Sequence, residues 1–575
     1  MLLTTREHTI MAVLAVVVGL IGGFGAIGFR YLLNLVQYFT YGSSGNLVTI
    51  VSSIPWYTRF LIPAAGGLVV GPLVYFFARE AKGHGVPEVM EAVALRGSVI
   101  RKRIVIVKSF ASAISIGTGG SVGREGPIVQ IGSAIGSAVG QLLKLSAERI
   151  RTLVGCGAAA GIAATFNAPI AGSMFALEII LGDFGLSTFS PIVISAVAAT
   201  AVSRHFLGNT PAFMVPPHEL VSPWELPLYV VLGFFCSLVA VVFTRTLYFS
   251  EDGFDALKMP EYFKAAMGGL ILGGMGFLYP HILGVGYPAM DMALMEELSL
   301  WSMVFLVAFK ILATSITIGS GGSGGVFAPS LFLGSMAGGF FGVVVHRIFP
   351  GITASPGAYS LVGMAAVVSG TTHGPLSAIL ILFEMTGDYK IILPLMIACI
   401  VSALASGWLS RDSIYTLKLS RRGIDIRAGK EVNVLRSIQV KDVMNPRVET
   451  MSESMNLGAL TERISKSKNN SFPVVDEKEN LIGILSFNDY KDVLFDEDLK
   501  DLIVAKDLAT PRVVTVNQDD NLFDALEKIS QRDFSILPVV SSVNPSRILG
   551  VLTRRDIIGA YNKAVIKKSV LREQG

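Results

Sequence analysis

Residues 117–127 read GTGGSVGREGP and place two charged side chains, Arg124 and Glu125, in an otherwise apolar and glycine-rich region. An ionisable side chain at membrane depth is costly, and it usually marks the path of a substrate or an ion. The closing proline is favoured at the first position of a helix. The stretch therefore predicts a break in the chain inside a membrane, followed by a helix that begins beside a glutamate.

The same stretch recurs in the second half of the chain. IGTGGSVGREGP at 116–127 aligns with IGSGGSGGVFAP at 318–329, an offset of 202 residues, and Lys108 pairs with Lys310 at this offset. Residues 167–178 align with residues 373–384 at an offset of 206. Interrupted apolar segments at equivalent places in two halves are typical of transporters built from repeats, with the site between the halves. The pattern leaves open whether the repeats are parallel or inverted.

Composition indicates a membrane protein with a polar tail. Of 575 residues, 51% are hydrophobic and 16% are charged, and the mean hydropathy is +0.59. Soluble domains carry about 25% charged residues. Charge is sparse to about Ser410 and dense after about Lys418. Twelve apolar segments follow one another between residues 10 and 409, and several are shorter than the roughly 20 residues that cross a bilayer.

Composition also excludes several classes of function. The formal net charge of +4 is small for a nucleic-acid binder, so we expect no nucleic-acid partner. The three cysteines are far apart and the seven histidines show no metal-ligand spacing, so we expect neither a disulfide framework nor a metal site. We expect a transporter rather than an enzyme.

Five short motifs share one pattern, in which a glycine or polar break precedes a proline and an apolar run. Each predicts a helix N-terminus, where free N–H groups and the helix dipole favour an anion. A cation site would more naturally use carboxylates or helix C-termini. The alternative is that the prolines only begin packed helices. The five motifs lie at 85–87, 125–127, 168–169, 327–329 and 374–375.

Basic clusters predict the orientation in the membrane. Residues 101–103 are Arg-Lys-Arg, and Lys418, Arg421, Arg422, Arg427 and Lys430 form a basic linker before the tail. Basic loops are retained in the cytoplasm. We therefore expect the polar tail in the cytoplasm of a multi-pass protein of the plasma or inner membrane.

Together these motifs resemble the CLC family of chloride channels and proton/chloride antiporters. GHGVP at 83–87 is similar to the first anion motif of that family, GREGP at 123–127 to its gating motif, and GVFAP at 325–329 to its third. Tyr415 resembles the tyrosine of the final membrane helix. The resemblance spans residues 10 to 420 and implies an all-α domain of two inverted repeats with broken helices, in a homodimer with one pore per subunit.

The resemblance also implies the site residues. Glu125 is the expected gate: ionised, its carboxylate occupies an anion position, and protonated, it swings away and can carry a proton. A neighbouring anion favours the protonated form by charge repulsion. The alternative role is a structural contact with Arg124. The expected anion-binding residues are His84, Gly85, Arg124, Gly126, Val326, Phe327 and Tyr415.

Two positions depart from the family pattern. The first motif has His84 where serine is usual, and an imidazole either donates to the anion in place of the hydroxyl or points away from it. The inner glutamate of proton-coupled members is replaced by Ile179, which carries no proton, so coupling would need water or Glu178. Equally, Glu178 is structural, because Glu384 occupies the equivalent point of the other half.

The tail contains a repeat of its own. KDVMNPRV at 441–448 recurs as KDLATPRV at 506–513, and GILSFND at 483–489 recurs as GVLTRRD at 550–556. This resembles a tandem pair of CBS domains. In that family Ser486, Asp489, Thr553 and Asp556 match positions that hold the phosphate and ribose of ATP, ADP or AMP. The alternative is a dimerisation module without a ligand.

We therefore expect a CLC-like anion transport domain at 1–420, a basic linker at 421–435, CBS domains at 436–497 and 498–565, and a tail at 566–575. The expected function is chloride transport gated by Glu125, as a voltage- or pH-gated channel or a weakly coupled transporter that needs no cofactor. Strict proton/chloride antiport is the first alternative. A membrane-anchored nucleotide sensor and a divalent-cation transporter are alternatives of other classes.

Overall fold

The computed structural model describes residues 2–209, 220–424, 435, 438–467, 469–493, 499–532, 535–542 and 544–570. The chain divides into two units, Met1–Arg422 and Gly423–Gly575. Within these residues the first unit is built from helices, and the second contains helices and two small sheets. Most of the expected linker, with Arg427 and Lys430, lies outside the described residues, and so do the last five residues of the expected tail.

The first unit is a bundle of membrane helices with several short members. Seven of its described helices are long and apolar enough to cross a membrane. The helices are α1 (Leu2–Tyr41), α2 (Leu47–Ser53), α3 (Trp56–Phe77), α4 (Val86–Leu95), α5 (Arg103–Gly117), α6 (Glu125–Leu142), α7 (Ala147–Phe166), α8 (Pro169–Phe175), α9 (Leu186–Leu207), α10 (Leu226–Ala256), α11 (Glu261–Leu278), α12 (Tyr287–Leu294), α13 (Leu300–Gly319), α14 (Phe327–Ile348), α15 (Pro356–Thr372), α16 (Pro375–Thr386), α17 (Ile392–Leu409) and α18 (Thr416–Arg421).

Helices α3–α9 and α11–α17 are equivalent halves. The helices that follow the two glycine-rich loops begin at Glu125 and Phe327, at the offset of the sequence repeat. Gly123 and Gly325 form an antiparallel bridge, so the equivalent loops run past each other in opposite directions. The two inverted repeats that the resemblance implied are confirmed.

Two apolar segments that look continuous in the sequence are each divided into two helices. The run at 152–182 contains α7 and α8, and the run at 357–386 contains α15 and α16. Asn167 and His373 end the first helix of each pair with left-handed backbones, at φ 58° and φ 56°. A left-handed residue ends a helix because it turns the chain away from the helical path. Each second helix therefore begins inside the bundle.

Small residues bring the long helices of each half together. A Cβ at Gly132 of α6 would overlap the carbonyl oxygen of Gly157 in α7, and one at Gly334 of α14 would overlap that of Gly363 in α15. Small residues at such contacts allow helix backbones to approach closely in a membrane. This packing holds the first residues of α6 and α14 rigidly at the centre of the unit.

The second unit contains two copies of one α/β motif. In each copy the first two strands are parallel and the last two are antiparallel. Ile484 pairs with Thr510 and Asn445 pairs with Val551, so the segment before each copy joins the last strand of the other. The elements are β1 (Met451–Ser452), α19 (Leu457–Lys466), β2 (Ser471–Val475), β3 (Leu481–Ser486), α20 (Phe487–Tyr490), α21 (Ala505–Leu508), β4 (Val516–Asn517), α22 (Leu522–Arg532), β5 (Ile536–Val540), β6 (Ile548–Thr553) and α23 (Arg554–Val570).

Candidate anion site

Three of the predicted helix starts meet at one place. The loops before α6 and α14 are joined by two hydrogen bonds, from the Gly123 amide to the Gly325 oxygen at 2.7 Å and from the Gly325 amide to the Gly123 oxygen at 2.6 Å. The loop before α4 joins the same group, because the Gly83 amide donates to the Gly322 oxygen at 3.1 Å and the Gly324 amide donates to the Gly83 oxygen at 3.3 Å. The free amides at the starts of α4, α6 and α14 are therefore brought close together.

Glycines permit this convergence. A Cβ at Gly126 would overlap the carbonyl oxygen of His84 and lie 2.9 Å from the Cα atom of Gly325. A Cβ at Gly85 would lie 3.2 Å from the carbonyl oxygen of Gly126. Backbones from three separate motifs are in direct contact here, which leaves no room for a side chain at Gly126.

Glu125, the residue expected to be the gate, lies buried at this meeting point. The side chain of Glu125 is 1% exposed, and its Oε2 atom has no hydrogen-bond partner among the described residues. A Cβ at Gly123 would overlap Oε2 and lie 3.2 Å from the amide nitrogen of Ala328 in α14. The carboxylate therefore lies against the start of α14, where an anion would also be favoured.

Tyr287 is a contact of Glu125 that the sequence analysis missed. Its hydroxyl donates to Glu125 Oε1 at 2.8 Å, and the guanidinium of Arg124 stacks on its ring at 5.2 Å from the ring centre. Arg124 Nε lies 3.9 Å from the same carboxylate oxygen. A signal for Tyr287 is present in the sequence, because GVGYP at 284–288 repeats GHGVP at 83–87 at an offset of 201.

The two repeated lysines hold these two equivalent motifs. Lys108 is fully buried and donates to two carbonyl oxygens of the segment 81–83, at 3.0 and 2.7 Å. Lys310 is fully buried and donates to two carbonyl oxygens of the segment 282–284, both at 3.0 Å. A buried ammonium needs such acceptors to offset the loss of water. Each lysine therefore shapes the chain that leads into α4 or α12.

His84 and Tyr415 are placed together beside the start of α4. Both are 1% exposed, and their ring centres are 5.8 Å apart. His84 Nε2 lies 3.5 Å from the Tyr248 hydroxyl, which itself donates to the Ile414 oxygen at 2.7 Å. His84 Nδ1 is buried and has no hydrogen-bond partner among the described residues. A neutral ring has one proton, so donation from Nδ1 to an anion requires giving up the weak contact with Tyr248.

The other expected residues fall into two groups. Val326 and Phe327 are each 1% exposed and lie at the start of α14, directly before Ala328. Arg124, in contrast, lines a separate cavity together with Tyr287, on the far side of the Glu125 carboxylate. The side chain of Arg124 thus lies on the cavity side of Glu125, although its backbone is the N-cap of α6.

Glu178 and Glu384 make reciprocal contacts between the two halves. Glu178 accepts from the amides of Leu376 and Ser377 at 3.1 and 2.7 Å, and from the Ser377 hydroxyl at 2.6 Å. Glu384 accepts from the amides of the second and third residues of α8 at 3.2 and 2.6 Å. Each carboxylate therefore caps the short helix of the opposite half and neutralises its dipole. Ile179 is 7% exposed and has only a hydrocarbon side chain.

Three of the basic residues before the tail belong to the first unit. Lys418 and Arg421 belong to α18, and Arg422 follows it directly. Lys418 lies 3.5 Å from Glu88 of α4, and Arg422 bonds to the same glutamate at 2.9 Å. Arg421 bonds to Asp252 at 2.7 Å. These ion pairs attach the last helix of the unit to α4 and to α10, so Lys418, Arg421 and Arg422 are part of the membrane domain.

The expected nucleotide-binding pairs are hydrogen-bonded within themselves. The Ser486 hydroxyl donates to Asp489 Oδ2 at 2.5 Å, and the Thr553 hydroxyl donates to Asp556 Oδ2 at 2.6 Å. Each pair caps the helix that follows it, which explains the spacing by local structure. Asp556 Oδ1 has no hydrogen-bond partner among the described residues.

Comparisons with known proteins agree with this geometry. The family model described as voltage gated chloride channel matches residues 66–407, and the CBS domain model matches residues 440–496 and 505–563. A putative chloride channel protein, ClcB-like, from Ralstonia nicotianae is 36% identical over 420 residues, which cover 72% of this chain and 98% of that protein.

Solved structures give the same result. The crystal structure of a slow cyanobacterial Cl⁻/H⁺ antiporter has a TM-score of 0.66 and 29% identity, and the match covers 72% of this chain and 97% of that chain. The crystal structure of a eukaryotic CLC transporter has a TM-score of 0.63 and 18% identity over 95% of this chain and 97% of that chain. At that identity the second match shows the fold alone.

Proposed function

The chain belongs to the voltage-gated chloride channel (CLC) family, and from this premise we propose that it carries chloride across the membrane past the starts of α4, α6 and α14, with Glu125 as the gate. The observation that carries the proposal is the position of the Glu125 carboxylate, buried against the amide of Ala328. An ionised carboxylate there occupies the place that an anion needs. Protonation removes its charge and weakens its attraction to the helix dipoles.

The proposed anion ligands are uncharged donors. They are the amides of Val326 and Phe327, the hydroxyl of Tyr415 and the ring of His84. Conduction requires binding that is favourable enough to admit an ion and weak enough to release it. Lys108 and Lys310 act on the backbone rather than on the ion, because their ammonium groups are engaged by carbonyl oxygens.

A channel or a weakly coupled transporter fits this chain better than strict antiport. Ile179 has no titratable group. Glu178, the nearest carboxyl along the chain, accepts three hydrogen bonds, and a change in its charge would cost those contacts. No second proton carrier is thus evident among the described residues beside Ile179. Strict proton/chloride antiport through water remains the alternative.

The test uses the full-length protein in lipid vesicles, with chloride efflux followed as a function of pH. Efflux is expected to rise as the pH falls, and Glu125→Gln is expected to make it independent of pH. Glu384→Gln is the matched control, since it removes the charge of another membrane glutamate without touching the gate. A pH dependence that survives Glu125→Gln would overturn the gate.

The choice between channel and antiporter needs a second measurement. A chloride gradient is imposed across the vesicle membrane, and proton movement is followed with a pH-sensitive dye. We expect chloride to move with little or no uphill proton flux. Proton movement in a fixed ratio to chloride would establish strict antiport instead.

Two further properties belong to the same proposal. We infer that the CBS pair binds an adenine nucleotide, with Asp556 Oδ1 free to accept from the ribose hydroxyls. The test is titration of the full-length protein with ATP, ADP and AMP, and Asp556→Ala is the control. We also infer a homodimer in the membrane, which single-molecule counting of subunits tests. Absence of nucleotide binding, or a single subunit per particle, would overturn the respective inference.

A further inference from the structure

A small cavity lies between α3, α11 and the ends of α5 and α13, and we call it the axial cavity. Its volume of about 20 Å³ is room for one water molecule or one small ion. Its lining consists of six pairs of residues, and the members of every pair are 202 residues apart, the offset of the sequence repeat. Two inverted halves are related by a two-fold axis, so a cavity lined by equivalent residues of both halves lies on that axis.

Two of the six pairs carry hydroxyl groups, and the other four pairs are small or apolar. The hydroxyl pairs are Ser115 with Thr317 and Thr118 with Ser320. All four side chains are buried. None of the described lining residues has a charged side chain. The axial cavity is therefore a small polar site without charge inside the packed helices.

The protons of three of these hydroxyls are already used. The Thr118 and Thr317 hydroxyls donate to carbonyl oxygens four residues earlier in the chain, at 2.8 and 2.7 Å. The Ser320 hydroxyl donates to the Thr317 carbonyl oxygen at 3.2 Å. A hydroxyl that donates its proton offers only lone pairs to a further ligand, and Thr317 uses one of these to accept from the Ser121 amide at 3.3 Å. The cavity is thus lined by acceptors, which suit a cation rather than an anion.

Ser115 is the exception among the four. Its side chain is 7% exposed, and its hydroxyl has no hydrogen-bond partner among the residues that the structure describes. A Cβ at Gly120, which also lines the cavity, would lie 3.0 Å from this oxygen, so the hydroxyl is on the cavity side of α5. A buried hydroxyl without a partner costs free energy. The position of Ser115 therefore points to a ligand in the cavity that contacts it.

Two helix C-termini converge on the same cavity. Helix α5 ends at Gly117 and α13 ends at Gly319, and the cap residues that follow them, Thr118 and Ser320, line the cavity. A helix C-terminus carries about half a negative charge. Helix α5 begins at the basic residues 101–103 and α13 is its inverted counterpart, so the two ends meet from opposite sides of the membrane. Two negative dipole ends at one place favour a cation between them.

We propose that the axial cavity binds one Na⁺ ion through the hydroxyl oxygens of its two polar pairs. A monovalent ion is favoured over Ca²⁺ or Mg²⁺, because carboxylates are the usual protein ligands of those ions and none lines the cavity among the described residues. The expectation of no metal site rested on the spacing of cysteines and histidines, which hydroxyl ligands do not show.

The bound ion joins the two halves beside the candidate anion site. Gly120 and Gly322 line the axial cavity, and three residues later Gly123 and Gly325 exchange the two hydrogen bonds that join the loops before α6 and α14. Binding of Na⁺ therefore stabilises the arrangement of these loops. It does so whether or not chloride passes Glu125, so the inference is independent of the proposed transport.

The test measures equilibrium binding of radioactive Na⁺ to the purified full-length protein, at constant chloride and with N-methyl-D-glucamine as the replacing cation. The wild type is expected to bind one Na⁺ per chain. Ser115→Ala is expected to weaken this binding about tenfold, because it removes one contact with the ion. The same variant is expected to keep the thermal stability that the wild type shows without Na⁺, because the Ser115 hydroxyl makes no hydrogen bond with a described residue. Thr317→Val removes the equivalent hydroxyl of the other half and is also expected to weaken binding.

Two controls make the result specific. Ser315 is likewise buried and its hydroxyl has no partner within the described part of the chain, but it does not line the cavity, so Ser315→Ala is expected to leave Na⁺ binding unchanged. Ser115→Thr introduces the residue type found at the equivalent position of the second half, and it is expected to retain binding. No Na⁺ binding by the wild type would mean that the cavity holds only water. That result, equal affinity in the wild type and Ser115→Ala, or an equal loss in Ser315→Ala would overturn the Na⁺ site and leave the proposed chloride transport intact.

Discussion

The hydrogen bond from Tyr287 to Glu125 is expected to determine the pH at which the gate opens. Tyr287→Phe removes the hydroxyl and keeps the ring that stacks on Arg124. The hydroxyl stabilises the ionised carboxylate of Glu125 in its buried position more than it stabilises the protonated form. A hydrogen bond to a charged group contributes about 1.5–3 kcal/mol.

This energy converts directly into a shift on the pH axis, since about 1.4 kcal/mol corresponds to one pH unit. Without the hydroxyl, the seated ionised form is less stable relative to the protonated form that opens the path. The midpoint pH of chloride flux is therefore expected to rise by about 1 to 2 units in Tyr287→Phe. The assay is chloride efflux from vesicles at a series of pH values, with the same protein density in each sample.

Tyr359→Phe is the matched control. The Tyr359 hydroxyl donates to Glu225 Oε1 at 2.8 Å, the same distance and the same pair of groups, away from the gate. Its loss is expected to lower thermal stability without moving the midpoint pH. If Tyr287→Phe and the wild type share one midpoint, Tyr287 does not hold the gate and the argument from this contact is wrong.

Three other substitutions probe the site. Gly126→Ala is expected to abolish flux and to destabilise the protein by about 1–3 kcal/mol, because its Cβ would overlap the His84 carbonyl. Gly28→Ala is the control and is expected to be tolerated, since a Cβ there meets nothing within 4 Å. Equal flux in both variants would contradict the close convergence of the loops. Glu178→Gln is expected to lower the free energy of unfolding by about 1–3 kcal/mol through loss of the charged helix cap, with no change in proton flux, and an altered proton flux would make Glu178 a proton carrier. His84→Ser is expected to retain flux and to raise the ratio of chloride to nitrate flux. The serine hydroxyl can donate its one proton to the anion, whereas the proton of the His84 ring is also used in the contact with Tyr248. An unchanged ratio would place His84 outside the anion path.

Much of the site was predictable because its signals are local. Glycine and proline before an apolar run indicate a helix start, and GREGP with GVFAP at a constant offset indicates two equivalent halves. The start of a second helix at 168–169 was predicted, whereas the left-handed backbone of Asn167 that ends the preceding helix was not. The partner of Lys418 was not predicted either, because Glu88 is distant in the chain.

The amino-acid sequence by itself determined that this is a membrane protein of two equivalent halves, with a glutamate at a broken helix and a cytoplasmic tail of two repeated domains. It could do so because hydropathy, repeats and helix-start residues are properties of short segments. Only the tertiary structure decided that the hydroxyl of Tyr287, 162 residues from Glu125, would reach its carboxylate, and that Arg30 and Arg124 would face one cavity. Such contacts join segments that are distant in the chain. They depend on how the two inverted halves pack against each other at their glycines, and no local sequence pattern shows that packing. The same packing assigns Glu178 to the opposite half as a helix cap.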